Sequence, residues 1–341
     1  LSQPSFGSRR LPAVSATHGR PEIRRVSVAS GGSRSVVLIA LGCNFGIAVA
    51  KFVAAAWTLS SAMLSEAIHS LVDTANQGLL LFGIARSKLP ADEQHPFGYG
   101  KEIYFWSFIV AMVLFSLGAG VAIYEGVLKI LDPHPLQNVE VLYAVLAVAM
   151  ILEGFSLFKA VREFNARPEA RNGFVEALRR SKDPSLFAIV LEDMAAMLGL
   201  TIALLGTLVA HLGGFDKADG VASILIGLLL AGVAAFMSIE IKSLIVGEAA
   251  SRVVQAGIRE IVTGEIGTGK PIRKINDLRT MHLGPNDVLV TASVDFQDGI
   301  SARTVEDATG RLQAAIKSRF PEVRHLFIEG QSEETFKPTS V

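Results

Sequence analysis

The chain has 341 residues, half of them hydrophobic, with 32 basic side chains set against 32 acidic ones. A formal net charge of zero leaves no electrostatic footprint for a nucleic-acid partner, and the single cysteine, Cys43, excludes an internal disulfide framework or a multi-cysteine metal site. The apolar residues come in long runs rather than at amphipathic spacing, which excludes an ordinary soluble protein; the length suits one membrane domain plus one small soluble domain.

Residues 1–34 are rich in Ser, Arg and Gly, with Glu22 their only acid. Such a segment cannot build a core and is expected to be a disordered basic tail. Two roles fit it: an Arg-rich, acid-poor organelle transit peptide, or a tail kept on the cytoplasmic side by its positive charge. Six hydrophobic spans follow, at about 35–58, 61–86, 103–128, 139–163, 185–211 and 219–245, each near the ~20 residues of helix that cross a bilayer. The connections after spans two and four hold Arg86, Lys88 and Lys101, then Arg162, Arg167, Arg171, Arg179, Arg180 and Lys182, whereas the opposite ones hold little beyond Lys129 and Lys217. Basic loops stay inside. The expectation is a multi-pass protein of a bacterial inner membrane or an organelle membrane, with both termini on the cytoplasmic or matrix side.

Span two, SAMLSEAIHSLVDTANQGLLLFGIAR, carries Glu66, His69, Asp73, Asn76 and Gln77. Residues three or four apart share a helix face, so Glu66, His69, Asp73 and Gln77 form one polar stripe. An ionised group at mid-bilayer costs about 2.5–3.5 kcal/mol on insertion scales, so these groups must face protein, water or an ion. His69 and Asp73 offer an imidazole and a carboxylate one turn apart, half of a site for a transported divalent metal; a hydrogen-bonded pair that locks helix packing is the structural alternative.

Span five contains Glu192 beside Asp193, two carboxylates that repel unless one is protonated or a cation is present. Asn44 in span one and Glu153 in span four read as polar contacts or as supports for a ligand. Lys51 and Glu66 are set to neutralise one another across spans one and two. Asp219 reads as a cap for span six, with a role on the entry path as the alternative. No nucleophile–base pair, phosphate-cradling loop or cofactor fingerprint occurs, so an enzyme is not expected.

From about Gly247 the composition becomes that of a soluble domain, expected over 247–330. A helical pattern covers 249–263, strand-like runs cover 272–282 and 287–296, and LGPN between them reads as a turn. A helix over 301–320, opened by Ser301 as N-cap, and a strand over 323–329 complete a two-layer α+β unit, and 331–341 reads as a flexible tail.

Three stretches resemble the cation diffusion facilitator family of zinc-transporter type: His69 and Asp73 as HxxxD in span two, HPFGYGKE at 95–102, and the RTMHLGP and FPEVRHLFIEG signatures of the C-terminal unit. LEDMAA at 191–196 resembles the branch related to animal zinc transporter 9. The resemblance implies a six-helix transmembrane bundle followed by a ferredoxin- or metallochaperone-like cytoplasmic domain, assembled as a homodimer. It implies proton-coupled efflux of a divalent cation by alternating access, with H⁺ as counter-ion; zinc is the first expectation and manganese or iron the alternatives.

The implied transport site is tetrahedral, two ligands coming from span two and two from span five. His69 and Asp73 match the first pair and Asp193 matches one of the second. The position four residues before Asp193 is Ile189, which has no donor atom. Glu192 is the candidate fourth ligand although it lies about 100° around the helix from Asp193; Glu66, Asn44, Glu153 or a water are the others. An incomplete set also leaves open a weakly transporting or non-transporting metal-sensing partner subunit, or a transporter of protons or monovalent ions alone. Asp92 with His95, and His282 and His325, are candidates for further metal binding in the loop and in the cytoplasmic domain.

Overall fold

The computed structural model describes residues 32–58, 61–133, 139–166, 182–215 and 217–336, with the side chains of 32, 33, 58, 61–66, 68 and 69 outside the description. The basic tail and the end of the chain past 336 therefore lie outside the described residues.

Long apolar runs fold into helices because a bilayer offers no partner for an unpaired backbone group. Span one is α1 (Gly32–Thr58) and span two is α2 (Ser61–Arg86). Span three comprises α3 (Glu102–Val113), a π-helical segment (Leu114–Ala119) and α4 (Gly120–Leu131). Spans four, five and six are α5 (Val139–Asn165), α6 (Pro184–Gly213) and α7 (Ala218–Val246). Among the described residues five of the six spans are apolar enough to cross a membrane by composition alone, α2 being the exception; its polar stripe is the reason. The start of α6 is fixed by Asp183, whose side chain accepts from the Leu186 amide at 3.4 Å, with Pro184 in the first turn, and its end by Gly214 at φ 64°.

Helix α1 packs along α2 and α5, and α5 along α6, while α3, the π segment and α4 pack along α7. The α4–α7 contact is backbone to backbone. A Cβ on Gly126 would lie 2.7 Å from the Gly220 carbonyl oxygen, and one on Gly220 would lie 2.8 Å from that of Gly126. Small residues permit this close approach where lipid supplies no hydrophobic drive. At the end nearest the C-terminal domain, Val37, Leu80, Ile84, Tyr104, Phe187, Met237 and Leu244 share one buried core. Every residue from 183 to 190 is buried there. Among the described residues this end of the bundle is closely packed, a seal of buried side chains.

The C-terminal domain consists of α8 (Arg252–Thr263), β1 (Ile272–Gly284), β2 (Asp287–Phe296), α9 (Ala302–Arg319) and β3 (Val323–Gly330). The sheet order is β1-β2-β3, antiparallel for the hairpin and parallel across the α9 crossover. Ile258, Val262, Leu312, Ile316 and Phe320 pack against Ile272, Val288, Val290, Val294 and Leu326. Ser301 caps α9, accepting from the Thr304 amide at 3.2 Å. Helix α8 begins three residues later than the periodicity suggests, because the linker is held along β1: Glu248 accepts from the His282 amide at 2.8 Å, and the Ala250 amide donates to Thr280 Oγ1 at 3.0 Å.

Loop 87–101 joins the two parts. A Cβ on Gly100 would meet the Leu283 carbonyl oxygen at 2.4 Å, so the loop lies directly on the β1–β2 turn. Phe97 meets the His325 ring edge-on at 5.2 Å, and Lys182 pairs with Glu248.

Candidate functional site

Helix α2 places Asp73, Asn76 and Gln77 near the middle of the bundle, and α6 brings Glu192 and Asp193 against them and against α5. The two adjacent acids of α6 point to different neighbours. Glu192 Oε2 accepts from Gln77 Nε2 at 2.8 Å, so this carboxylate faces span two. Asp193 Oδ2 accepts from Ser156 Oγ at 2.6 Å, so it faces span four. The angular offset between neighbouring helical residues is thus taken up by a separate donor for each. Glu192 lies within electrostatic reach of Asp73, Glu153 and Asp193, and Glu153 within reach of Asp73 and Asp193.

Several acceptors in this region are buried without a hydrogen-bond donor: Gln77 Oε1, Glu153 Oε2 and Glu192 Oε1. Buried oxygens of this kind are rarely left bare in a folded protein, and a proton or a cation is what satisfies such an acceptor. Ile189 is fully buried one turn before Asp193, inside the seal. The side chains of His69 and Glu66 lie outside the described residues; the backbone of α2 sets His69 one turn before Asp73. Among the described residues no three His, Cys, Asp or Glu side chains converge to coordination distance.

Asn44 is buried on α1 and Glu153 on α5. Lys51 of α1 lies within electrostatic reach of Glu153, and its expected pairing with Glu66 lies outside the described residues. Asp219 does not cap α7: Lys217 occupies the cap position with no side-chain cap, and Asp219 pairs with Lys129 of α4 at 2.8 Å. The pair clips spans three and six at the far end from the seal.

The loop and C-terminal candidates have other neighbours. Asp92 Oδ1 accepts from the His95 amide at 2.7 Å and the Gln94 amide at 3.0 Å, and Oδ2 accepts from the Tyr99 hydroxyl at 2.6 Å. The Tyr99 and His95 hydrogen bonds hold the Asp92 carboxyl below its ordinary range. The His95 ring stacks on Tyr99 at 4.2 Å. The two residues shape the loop that docks the domain. His282 is buried beside the Gly284 carbonyl at 3.2 Å, and burial pushes its pKa down. His325 lies 3.6 Å from Asp287, whose carboxyl is pushed up by burial.

Ser156 was not among the sequence-derived candidates. Its signal was present as Glu153-x-x-Ser156, two polar residues on one face of an apolar helix.

Comparison with known proteins gives the same outline. The cation efflux transmembrane domain family matches residues 37–246. The chain is 33% identical over 313 residues to the human proton-coupled zinc antiporter SLC30A9, mitochondrial, covering 91% of this chain and 54% of that one. The mouse protein of the same name is 31% identical over 348 residues, covering 91% and 61%. Metal tolerance protein C4 of Arabidopsis thaliana is 30% identical over 293 residues, covering 85% and 63%. The chain therefore spans somewhat under two thirds of the length of these relatives. With six spans, an acid-lined centre between spans two, four and five, and a family match running from the first span to the end of the sixth, the chain belongs to the cation efflux, or cation diffusion facilitator, family.

Proposed function

We propose that the chain moves a divalent cation, zinc first, across a membrane in exchange for protons, with the ion bound between α2 and α6. His69, Asp73, Asp193 and Glu192 are the ligands in this reading. Glu192 takes the fourth place because Gln77 of α2 turns its carboxylate toward span two while its other oxygen stays unpaired. The observation that carries the proposal is the set of buried, donorless oxygens contributed by spans two, four and five. The relatives whose names include a proton-coupled zinc antiporter support the choice of zinc and protons.

Metal ligands bind in their deprotonated forms, so ion binding releases protons and proton binding releases the ion. An imidazole ordinarily titrates near pH ~6.5, which suits His69 to this exchange. The buried run 183–190 seals the path toward the C-terminal domain, as expected of one end-state of an alternating-access cycle. Loop 87–101 carries Lys88 and Lys101 and docks that domain, so the basic loop and the domain share one side; we assign it as cytoplasmic or matrix. The mitochondrial relatives support an organelle membrane, and membership of the family supports a homodimer.

One observation favours a second cargo. With Ile189 in place of a donor, the proposed set is three carboxylates and one imidazole, and oxygen-rich sites accept harder ions such as Mn²⁺ or Fe²⁺. Uptake of Zn²⁺, Mn²⁺ and Fe²⁺ into proteoliposomes, with His69→Ala and Asp73→Ala as controls, tests both readings. Zinc flux lost in both variants is the expected result. Undiminished zinc flux in either variant would remove that residue from the site, and a manganese or iron preference would replace zinc as the cargo.

A further inference from the structure

A cleft of about 450 Å³ opens where the end of α2 meets the start of α3, lined by Phe82, Arg86, Lys101, Glu102, Phe105 and Trp106. Its lining includes none of the proposed metal ligands. Its depth is fixed by its neighbours. Loop 87–101 lies on the C-terminal domain, which must stand in water, so Arg86 and Lys101 sit at the membrane surface. Trp106 follows Lys101 by five residues, about 7.5 Å along a helix at 1.5 Å per residue. That is the boundary between headgroups and acyl chains, where tryptophan is enriched.

The charges in the cleft do not cancel. Its single acid, Glu102, is already engaged: Oε1 lies 3.2 Å from Arg86, and Oε2 accepts from Trp106 Nε1 at 2.7 Å. Two cations against one carboxylate leave one positive charge in surplus. Lys101 Nζ reaches the Ile245 carbonyl at 3.4 Å, a neutral partner. The Arg86 side chain is 41% exposed and stacks over Tyr99 at 5.3 Å, so its planar donor fork is held in place at the cleft. Deeper in, Phe82 and Phe105 meet Trp106 edge-on at 4.8 and 5.4 Å and form an apolar wall.

We infer that this cleft is a binding site for an anionic phospholipid, with the headgroup phosphate at Arg86 and Lys101 and an acyl chain along Phe82, Phe105 and Trp106. Basic pockets between helix ends on the inner side of a membrane bind such headgroups, whereas a zwitterionic lipid gains nothing from the surplus charge. The site joins span two to the loop that docks the C-terminal domain, so bound lipid would brace both.

The two tryptophans make the test direct. Trp57 is exposed at the end of α1, so Trp57→Phe leaves Trp106 as the sole indole. Full-length chain carrying this change is placed in bilayers containing brominated phosphatidylglycerol or brominated phosphatidylcholine, and Trp106 quenching is read. The expected result is a preference for the anionic lipid of about fivefold, as for one surplus cation at an anionic surface. Lys101→Gln should abolish it, with Arg86→Gln as a second variant. Equal quenching by the two lipids without either substitution would overturn the proposal, as would a preference that survives both. A preference erased by millimolar inorganic phosphate would assign the site to a soluble anion and also overturn it.

Discussion

Ser156 and Gln77 each hold one carboxylate of α6, and each contact is a single hydrogen bond that one substitution removes. Ser156→Ala should leave the protein in the membrane but weaken the metal dependence of transport by about 10- to 100-fold, the usual effect of removing the group that orients a ligand. A concentration series of zinc flux reads this directly; an unchanged half-saturating concentration would place Asp193 outside the site. The polar stripe of α2 and the paired acids of α6 were legible in the sequence because charge inside an apolar run needs a reason. Ser156 was not, since a serine in such a helix can bond its own backbone. His282 carries a pH prediction. Burial lowers its pKa in the folded chain below the ordinary 6.5, so the unfolded chain binds more protons between the two values. Stability of the C-terminal domain is therefore full above pH ~6.5 and falls as the pH drops below it. The thermal midpoint measured from pH 8 to 5 should show this loss, and His282→Asn should flatten the curve; an unflattened curve would assign the loss to other groups.

At the scale of elements, α2, both strands of the hairpin and the cap of α9 follow closely from pattern, because their hydrophobic period and turn chemistry agree. Span three shows the limit. Its run over 103–124 carries no charged residue, and nothing in that composition distinguishes the π-helical turn at Leu114–Ala119 from the α-helix around it. The HPFGYGKE loop shows another. Its proline and two glycines announce a turn, but the partner they serve, Leu283 and Gly284, lies more than 180 residues further along the chain. Gly100→Val forces a side chain into the Leu283 carbonyl, and overpacking of this kind typically costs about 1–3 kcal/mol. The expected result is release of the C-terminal domain, seen as faster hydrogen exchange in the β1–β2 turn and faster proteolysis of the 247–251 linker, with the helices of the bundle unchanged. Wild-type protection in the variant would mean that the docked loop does not hold the domain.

Across the whole molecule, the buried run 183–190 closes the bundle beneath the acid cluster, and the docked domain sits on the closed side. In the proposed exchange, ion and protons use the cluster in turn, reaching it from one side at a time. That exchange is the central claim. It is tested by recording zinc entry and internal pH together in proteoliposomes with an imposed pH gradient, for the wild type and for Asp73→Ala. Zinc uptake that moves protons the other way, stops when the gradient is collapsed and is absent in Asp73→Ala is the predicted result. Zinc uptake indifferent to the gradient, or no flux from folded wild-type protein, would contradict it.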